Sequence, residues 1–148
     1  MTTDKTKRLA AEALGGCIAT RLRLAARVVT KVYDDALRPF GLTVSQLALL
    51  AVAADRGAVR QAEVSAQLQL DDSTLSRNLE RMRANGWLEE VAGADARVHT
   101  HRLSGAGKAL FERVMPAWRA AQERARALLG ESGVDALRRF AGENGFGG

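Results

Sequence analysis

The sequence predicts a mainly α-helical chain with one small β-hairpin, and three observations carry that reading. Apolar residues recur at spacings of three and four along most of the 148 residues, the signature of one buried helix face. Alanine, leucine and arginine abound, prolines number two and β-branched runs are scarce, which favours helix over strand. Alternation with a period of two is confined to a short stretch around residue 100.

The first helix is expected from Leu14 to Leu37, where Leu14, Ile18, Leu22, Ala25, Val29, Val32 and Ala36 form one stripe. Pro39 and Gly41 end it. Thr43 and Gln46 then make a capping box, each side chain satisfying the other residue's free backbone N–H. Behind it Val44, Leu47, Leu50 and Ala54 face inward until Gly57. A short helix follows over residues 60–70 with Val64 and Leu68 inward, and Asp71 or Asp72 caps the next. In that helix Leu75, Leu79 and Met82 are the buried stripe, while Ser73, Thr74, Ser76, Arg77, Asn78 and Arg81 remain outside.

Asn85-Gly86 stops the helix. Residues 87–92 and 97–103 read as two strands joined by the small-residue tip Gly93-Ala94-Asp95-Ala96. Ser104 caps a long helix carrying Leu110, Val114, Trp118, Ala121, Ala125 and Leu128, bent by Pro116. A last short helix spans 132–140, and a glycine-rich tail follows. With no internal repeat and no long linker, residues 1–148 form one domain, and at this length a single core is expected.

Short helix, tight turn, second helix with a polar outer face, then a hairpin is the order of a winged helix-turn-helix. A recognition helix must bury one stripe and offer short hydrogen-bonding groups near its N-terminus, where free N–H groups attract phosphate. Ser73, Thr74 and Ser76 are small enough to let such a helix enter a major groove, and Arg77 can bond guanine O6 and N7. Asn78 and Arg81 extend that face, with Arg81 placed for phosphate. At the hairpin tip Asp95 is expected to hold the Arg97 guanidinium extended for a narrow minor groove.

Charge alone does not make this case. The net charge is +5, yet residues 57–103 hold six Lys/Arg against seven Asp/Glu. The functional assignment therefore rests on pattern.

Segments Val64-Ser65-Ala66-Gln67-Leu68, Asp72 to Leu79, Asn85-Gly86-Trp87-Leu88 and Asp95-Ala96-Arg97, followed by Leu103-Ser104-Gly105-Ala106-Gly107-Lys108-Ala109-Leu110, resemble a MarR-family regulator across roughly residues 14–140. The wing followed by Leu-Ser-x-x-Gly-x-x-Leu is the most specific part. The resemblance implies a homodimer built from residues 14–38 and 104–140, and a winged lobe over 43–103 that binds a palindromic operator in double-stranded DNA. It also implies a repressor released by a small aromatic or anionic effector held between lobe and dimer helices. Three positions depart from the pattern: Arg60 replaces a capping hydroxyl, Gln69 a turn glycine and Ala96 a second basic wing residue. The last predicts fewer phosphate contacts and more salt-sensitive binding.

The single cysteine, Cys17, excludes an intrachain disulfide or a paired-cysteine zinc site. It is either a packed, chemically quiet residue or a redox-sensing thiol, since some similar regulators sense peroxide in that helix. Alignment on Thr30-Lys31-Val32-Tyr33 puts Cys17 about two residues out of register with them. His99 and His101 share a strand face but lack further metal ligands, and are expected as exposed wing residues near phosphate. Neither phosphate-loop nor dinucleotide glycine motifs occur, so no enzyme and no cofactor is expected. The remaining alternative is a winged-helix interaction module that does not read DNA. A cytoplasmic location is expected, from the lone cysteine and the absence of an apolar leader or span.

Overall fold

The computed structural model describes residues 2–68, 70–92, 95 and 97–141. Helix α1 (Thr2–Gly16) and α2 (Ile18–Leu37) lead through a single 3-10 turn (Arg38–Phe40) into α3 (Val44–Arg56). Strand β1 (Ala58–Arg60), α4 (Gln61–Leu68) and α5 (Asp72–Ala84) follow, then β2 (Leu88–Val91), β3 (Thr100–Leu103) and α6 (Gly105–Ala141). The helices surround a three-stranded antiparallel sheet ordered β1-β3-β2.

The start of the chain differs from expectation. Helix begins at Thr2 rather than Leu14, and the stripe that reads as one helix from Leu14 is broken at Cys17. Cys17 takes an extended conformation as N-cap of α2, and the Arg21 guanidinium closes the break by donating to the Gly15 carbonyl at 2.5 Å. The spacing of Leu14 and Ile18 spans this break without a signal, because one extended residue barely disturbs the apolar pattern.

From α2 onward the stops and caps act as read. Gly41, at φ 72°, takes the left-handed conformation that ends the 3-10 turn. Thr43 and Gln46 form the capping box, and the Asp34 carboxylate on α2 accepts from the Val44 N–H at 2.8 Å. That contact fixes the angle between α2 and α3. Leu47 and Leu50 are buried, whereas Ala54 is exposed, because Leu49, Val52 and Ala53 face the core instead.

Strand β1 is not legible as a strand, since three residues are too few for alternation to register. It makes β3 the middle strand, with Val59 opposite His101. The hairpin strands are shorter than expected, at four residues each. Leu37, Leu50, Val64, Leu75, Met82 and Val114 join α2 through α6 in one core.

Ser104 caps α6 by accepting from the Gly107 N–H and also donates to the Gly86 carbonyl. Pro116 lies within the helix, and the larger break comes at Gly130 (φ 66°, ψ 166°), which separates the short final helix. Leu128 is exposed, contrary to its place in the apolar stripe. The glycine-rich tail lies outside the described residues. Among those described, no single helix is long and apolar enough to cross a membrane.

Candidate nucleic-acid interface

The site is built on α4 and α5. Asp71 is the N-cap of α5: its carboxylate accepts from the Thr74 N–H at 2.8 Å and from the Thr74 and Ser73 hydroxyls at 2.6 Å each. These bonds hold its carboxyl far below the usual carboxylate range, the Ser73 hydroxyl contributing most. Leu75, Leu79 and Met82 turn inward and are essentially inaccessible, so the opposite face is set by helical geometry.

On that face Ser73, Ser76, Arg77 and Arg81 are exposed, while Thr74 and Asn78 are half-buried. The hydroxyls of Ser73 and Thr74 spend their protons on Asp71, which leaves them as acceptors. Ser76 accepts from the Gln61 side chain of α4 at 2.9 Å. Arg77 folds back along its helix, donating to the Ser73 carbonyl at 3.2 Å and hydroxyl at 3.3 Å. Both contacts are exposed and exchangeable for water or an outside acceptor.

Departures from the family pattern find local substitutes. Arg60 has no hydroxyl to cap α4, but its N–H donates to the Glu63 carboxylate at 3.0 Å, the acidic half of a capping box. Ser65 steadies the turn between the helices by donating to the Leu70 carbonyl at 3.1 Å and to Asp72 at 3.3 Å. Gln69 and Ala96 lie outside the described residues, as do Gly93 and Ala94 of the wing tip.

The Asp95–Arg97 contact is not the expected one. Asp95 accepts from the backbone N–H of Arg97 at 3.0 Å, and its carbonyl from the Val98 N–H at 3.1 Å. The aspartate thus folds the backbone into a turn, as short acidic side chains commonly do, and the guanidinium of Arg97 has no partner among the described residues.

Six of the seven acids of this segment accept a hydrogen bond or form an ion pair, and the seventh, Glu80, is exposed. Glu63 and Asp71 cap helices, Glu89 pairs with Arg102 at 3.0 Å, and Glu90 bridges Arg83 at 3.2 Å and His99 at 2.6 Å. The Glu90 bridge ties the last turn of α5 to the wing. Among the described residues Arg77, Arg81 and Arg97 have no acidic partner and stay available to an outside anion, although acids outnumber bases by one in the segment. Gln61, the first residue of α4, belongs to the same surface through its bond to Ser76 and carries no sequence signal beyond its place before the motif.

His101 is corrected from an exposed to a buried residue, 4% accessible, because β3 is the middle strand and covers its inward positions. Its Nδ1 has no hydrogen-bond partner, and burial lowers its pKa, keeping the ring neutral at pH 7. His99 is exposed, and the described residues contain no group of three or more metal-ligating side chains.

Cys17 lies in the break before α2, where the Thr20 side chain and backbone N–H lower its thiol pKa. Away from the α4–α5 surface, a cavity of about 420 Å³ opens between α2, α3 and α6, lined chiefly by Tyr33, Leu47, Ala48, Phe111, Met115 and Trp118. It presents aromatic surface and no charged residue. The Tyr33 hydroxyl donates to Gln122 across the α2–α6 contact, and burial raises its pKa.

Residues 40–97 match the model of the MarR family. The Mycobacterium tuberculosis transcriptional regulator MosR, solved in complex with DNA, is 36% identical with a TM-score of 0.74 over 87% of this chain and 93% of that one. The chain belongs to the MarR family. A variant of Escherichia coli MarR complexed with operator DNA shares the fold at 18% identity and a TM-score of 0.77, over 88% of this chain and 94% of that one. An uncharacterised HTH-type regulator of Bacillus subtilis, YwoH, is 31% identical over 77 residues, 52% of this chain. The chain spans 56% of the length of that curated relative. MarR-family membership makes the three-stranded sheet, with the β2–β3 hairpin as wing, a winged helix-turn-helix.

Proposed function

We propose that this MarR-family chain is a sequence-specific DNA-binding regulator, acting as a homodimer on an imperfect palindrome and released by a small-molecule effector. The observation that carries the reading is the outer face of α5: Ser73, Ser76, Arg77 and Arg81 stand exposed on a helix whose opposite face is fully buried. In this reading Arg77 leaves Ser73 for a guanine edge, Thr74 and Asn78 border the groove, and Arg81 meets phosphate. Arg97 enters the adjoining minor groove, with Asp95 shaping its turn.

Dimerisation follows from what the monomer leaves uncovered. Every side chain of α1 from residue 3 onward is exposed, and Leu14, Ile18 and Phe140 are 76%, 79% and 89% accessible. A lone helix of this length in water is marginal, so a second copy covering α1, α2 and the end of α6 is the natural source of its stability. Half-sites about 10 base pairs apart are then expected. The uncharged cavity beside Tyr33 and Trp118 suits the aromatic part of an effector and offers no cation for an anionic one.

The test is a mobility-shift titration on the regulator's own upstream DNA, with Arg77→Ala and Arg97→Ala beside the parent. Arg77→Ala is expected to weaken binding by about 1–3 kcal/mol and relax sequence preference. Arg97→Ala weakens binding with little change in preference. Parent-like binding by both across several salt concentrations would refute the reading.

A further inference from the structure

The hydroxyls on the outer face of α5 do not share one polarity. Ser73 and Thr74 donate their protons to the Asp71 carboxylate at 2.6 Å each, so toward the outside they can only accept. Ser76 is the reverse case. Its Oγ accepts from the Gln61 side-chain amide at 2.9 Å, and its own proton has no acceptor among the described residues. Gln61 stands on the neighbouring helix, as the first residue of α4, and two contacts hold it in reach. The Arg60 N–H bonded to Glu63 at 3.0 Å fixes the start of α4, and Val64 shares the buried core with Leu75 of α5. Gln61 is itself half-buried, whereas Ser76 is exposed.

From this geometry we infer that Gln61 is a positioning residue for base readout: by bonding Ser76 from α4, it presents the Ser76 hydroxyl to the major groove as a hydrogen-bond donor. The inference rests on the DNA-binding reading above and adds to it a residue outside the recognition helix. A serine hydroxyl has one proton and two lone pairs. With Gln61 donating, the proton cannot point toward α4 and is left for the groove. Guanine O6 and N7, adenine N7 and thymine O4 are acceptors there, whereas cytosine offers only its N4 amino donor. Cytosine beneath Ser76 leaves the proton unpaired in a closed interface, where an unmet donor costs more than a bond gains. The position therefore rejects cytosine and prefers a G·C pair to C·G, with guanine on the strand that Ser76 meets. An unassisted serine, able to donate or accept, has no such preference.

The experiment takes the duplex that the full-length parent enriches from a random pool and measures competitive binding of every single-base-pair replacement in one half-site. The parent is compared with Ser76→Ala, Gln61→Ala, Gln61→Glu and Arg77→Ala, with thermal midpoints as the check on folding. Both Gln61 substitutions suit the start of a helix. Ser76→Ala is expected to lose preference at one position, which marks its base. At that position the parent favours G·C over C·G by at least about fivefold. Gln61→Ala frees the hydroxyl to turn either way and brings the ratio to within about twofold. Gln61→Glu reverses the ratio, because a carboxylate only accepts: Ser76 must donate to it and turns a lone pair to the groove. The added charge weakens every duplex alike, so the ratio is the readout. A merely structural tie between α4 and α5 lowers both affinities by one factor and keeps the parental ratio in the Gln61 variants, which overturns the inference. A parental preference for cytosine at the marked position overturns it too, as does a Ser76→Ala variant with every preference intact. A parent that enriches no sequence removes the DNA-binding reading and this inference together, whereas a preference that depends on Arg77 and not on Gln61 removes this inference alone.

Discussion

Gly107 is the motif glycine of Leu103-Ser104-x-x-Gly107-x-x-Leu110, and its position explains why no other residue serves there. A Cβ at Gly107 would lie 2.1 Å from the Trp87 carbonyl oxygen and 3.0 Å from the carbonyl carbon. Carbon and oxygen approach comfortably at roughly 3.3 Å, so Gly107→Ala must open the contact by about 1 Å. The obstacle is backbone, already fixed by the Ser104 N–H donating to the same oxygen at 3.0 Å, and it has no rotamer by which to yield. Overpacking of this kind costs up to about 3 kcal/mol, and alanine's better helix propensity returns about 1 kcal/mol. A net loss near 2 kcal/mol is expected, lowering Tm by about 4–8 °C for a chain of this size. Urea denaturation of parent, Gly107→Ala and Gly105→Ala measures it. A Cβ at Gly105 meets nothing within 4 Å, so that variant is expected to match or slightly exceed the parent. Should Gly107→Ala unfold within about 0.5 kcal/mol of the parent, a spread comparable to neutral surface changes, the proposed jam between α6 and the wing base does not exist.

Thr43→Ala removes the hydroxyl half of the capping box on α3 and is expected to cost about 1 kcal/mol by denaturant titration; an unchanged midpoint would show that Asp34 caps the helix by itself. His101 makes stability depend on pH, because burial lowers its pKa from the ordinary 6.5. The unfolded chain then binds more protons below that value, so stability is full above about pH 6.5 and falls as pH drops through the folded pKa. His101→Leu is expected to flatten that part of the profile, and a slope identical to the parent's would remove His101 as its cause. Cys17, its pKa lowered by Thr20, is expected to alkylate with an apparent pKa below that of a free thiol. If, in addition, Cys17→Ser keeps DNA binding but loses a peroxide response that the parent shows, redox control replaces the ligand mechanism.

Much of this fold is legible in the sequence because its punctuation is local. Thr43 with Gln46, Asp71, Gly86 and Ser104 each act within three or four residues of themselves, and each caps or stops a helix where it is read to do so. What escapes notice depends on partners far along the chain. Strand β1 exists only because β3 accepts it, and His101 is buried only because β1 lies there. The break at Cys17 escapes because helical spacing on either side continues in phase. The polar face of α5 follows from its buried stripe, but the retreat of Arg77 onto Ser73 and the backbone role of Asp95 depend on side-chain hydrogen bonds that residue identity does not specify. The charge sum of residues 57–103, where acids outnumber bases by one, misleads for the same reason, since it counts acids without knowing which are spent on caps and pairs.

The most direct test of the central claim is selection of bound duplexes from a random DNA pool by the purified full-length chain, with the mass of the complex measured on the enriched sequence. The account predicts an imperfect palindrome with half-sites about 10 base pairs apart, bound by two chains. It also predicts loss of base preference within each half-site for Arg77→Ala. A pool that shows no enriched sequence at low and moderate salt, or an enriched single half-site bound by one chain, would contradict it.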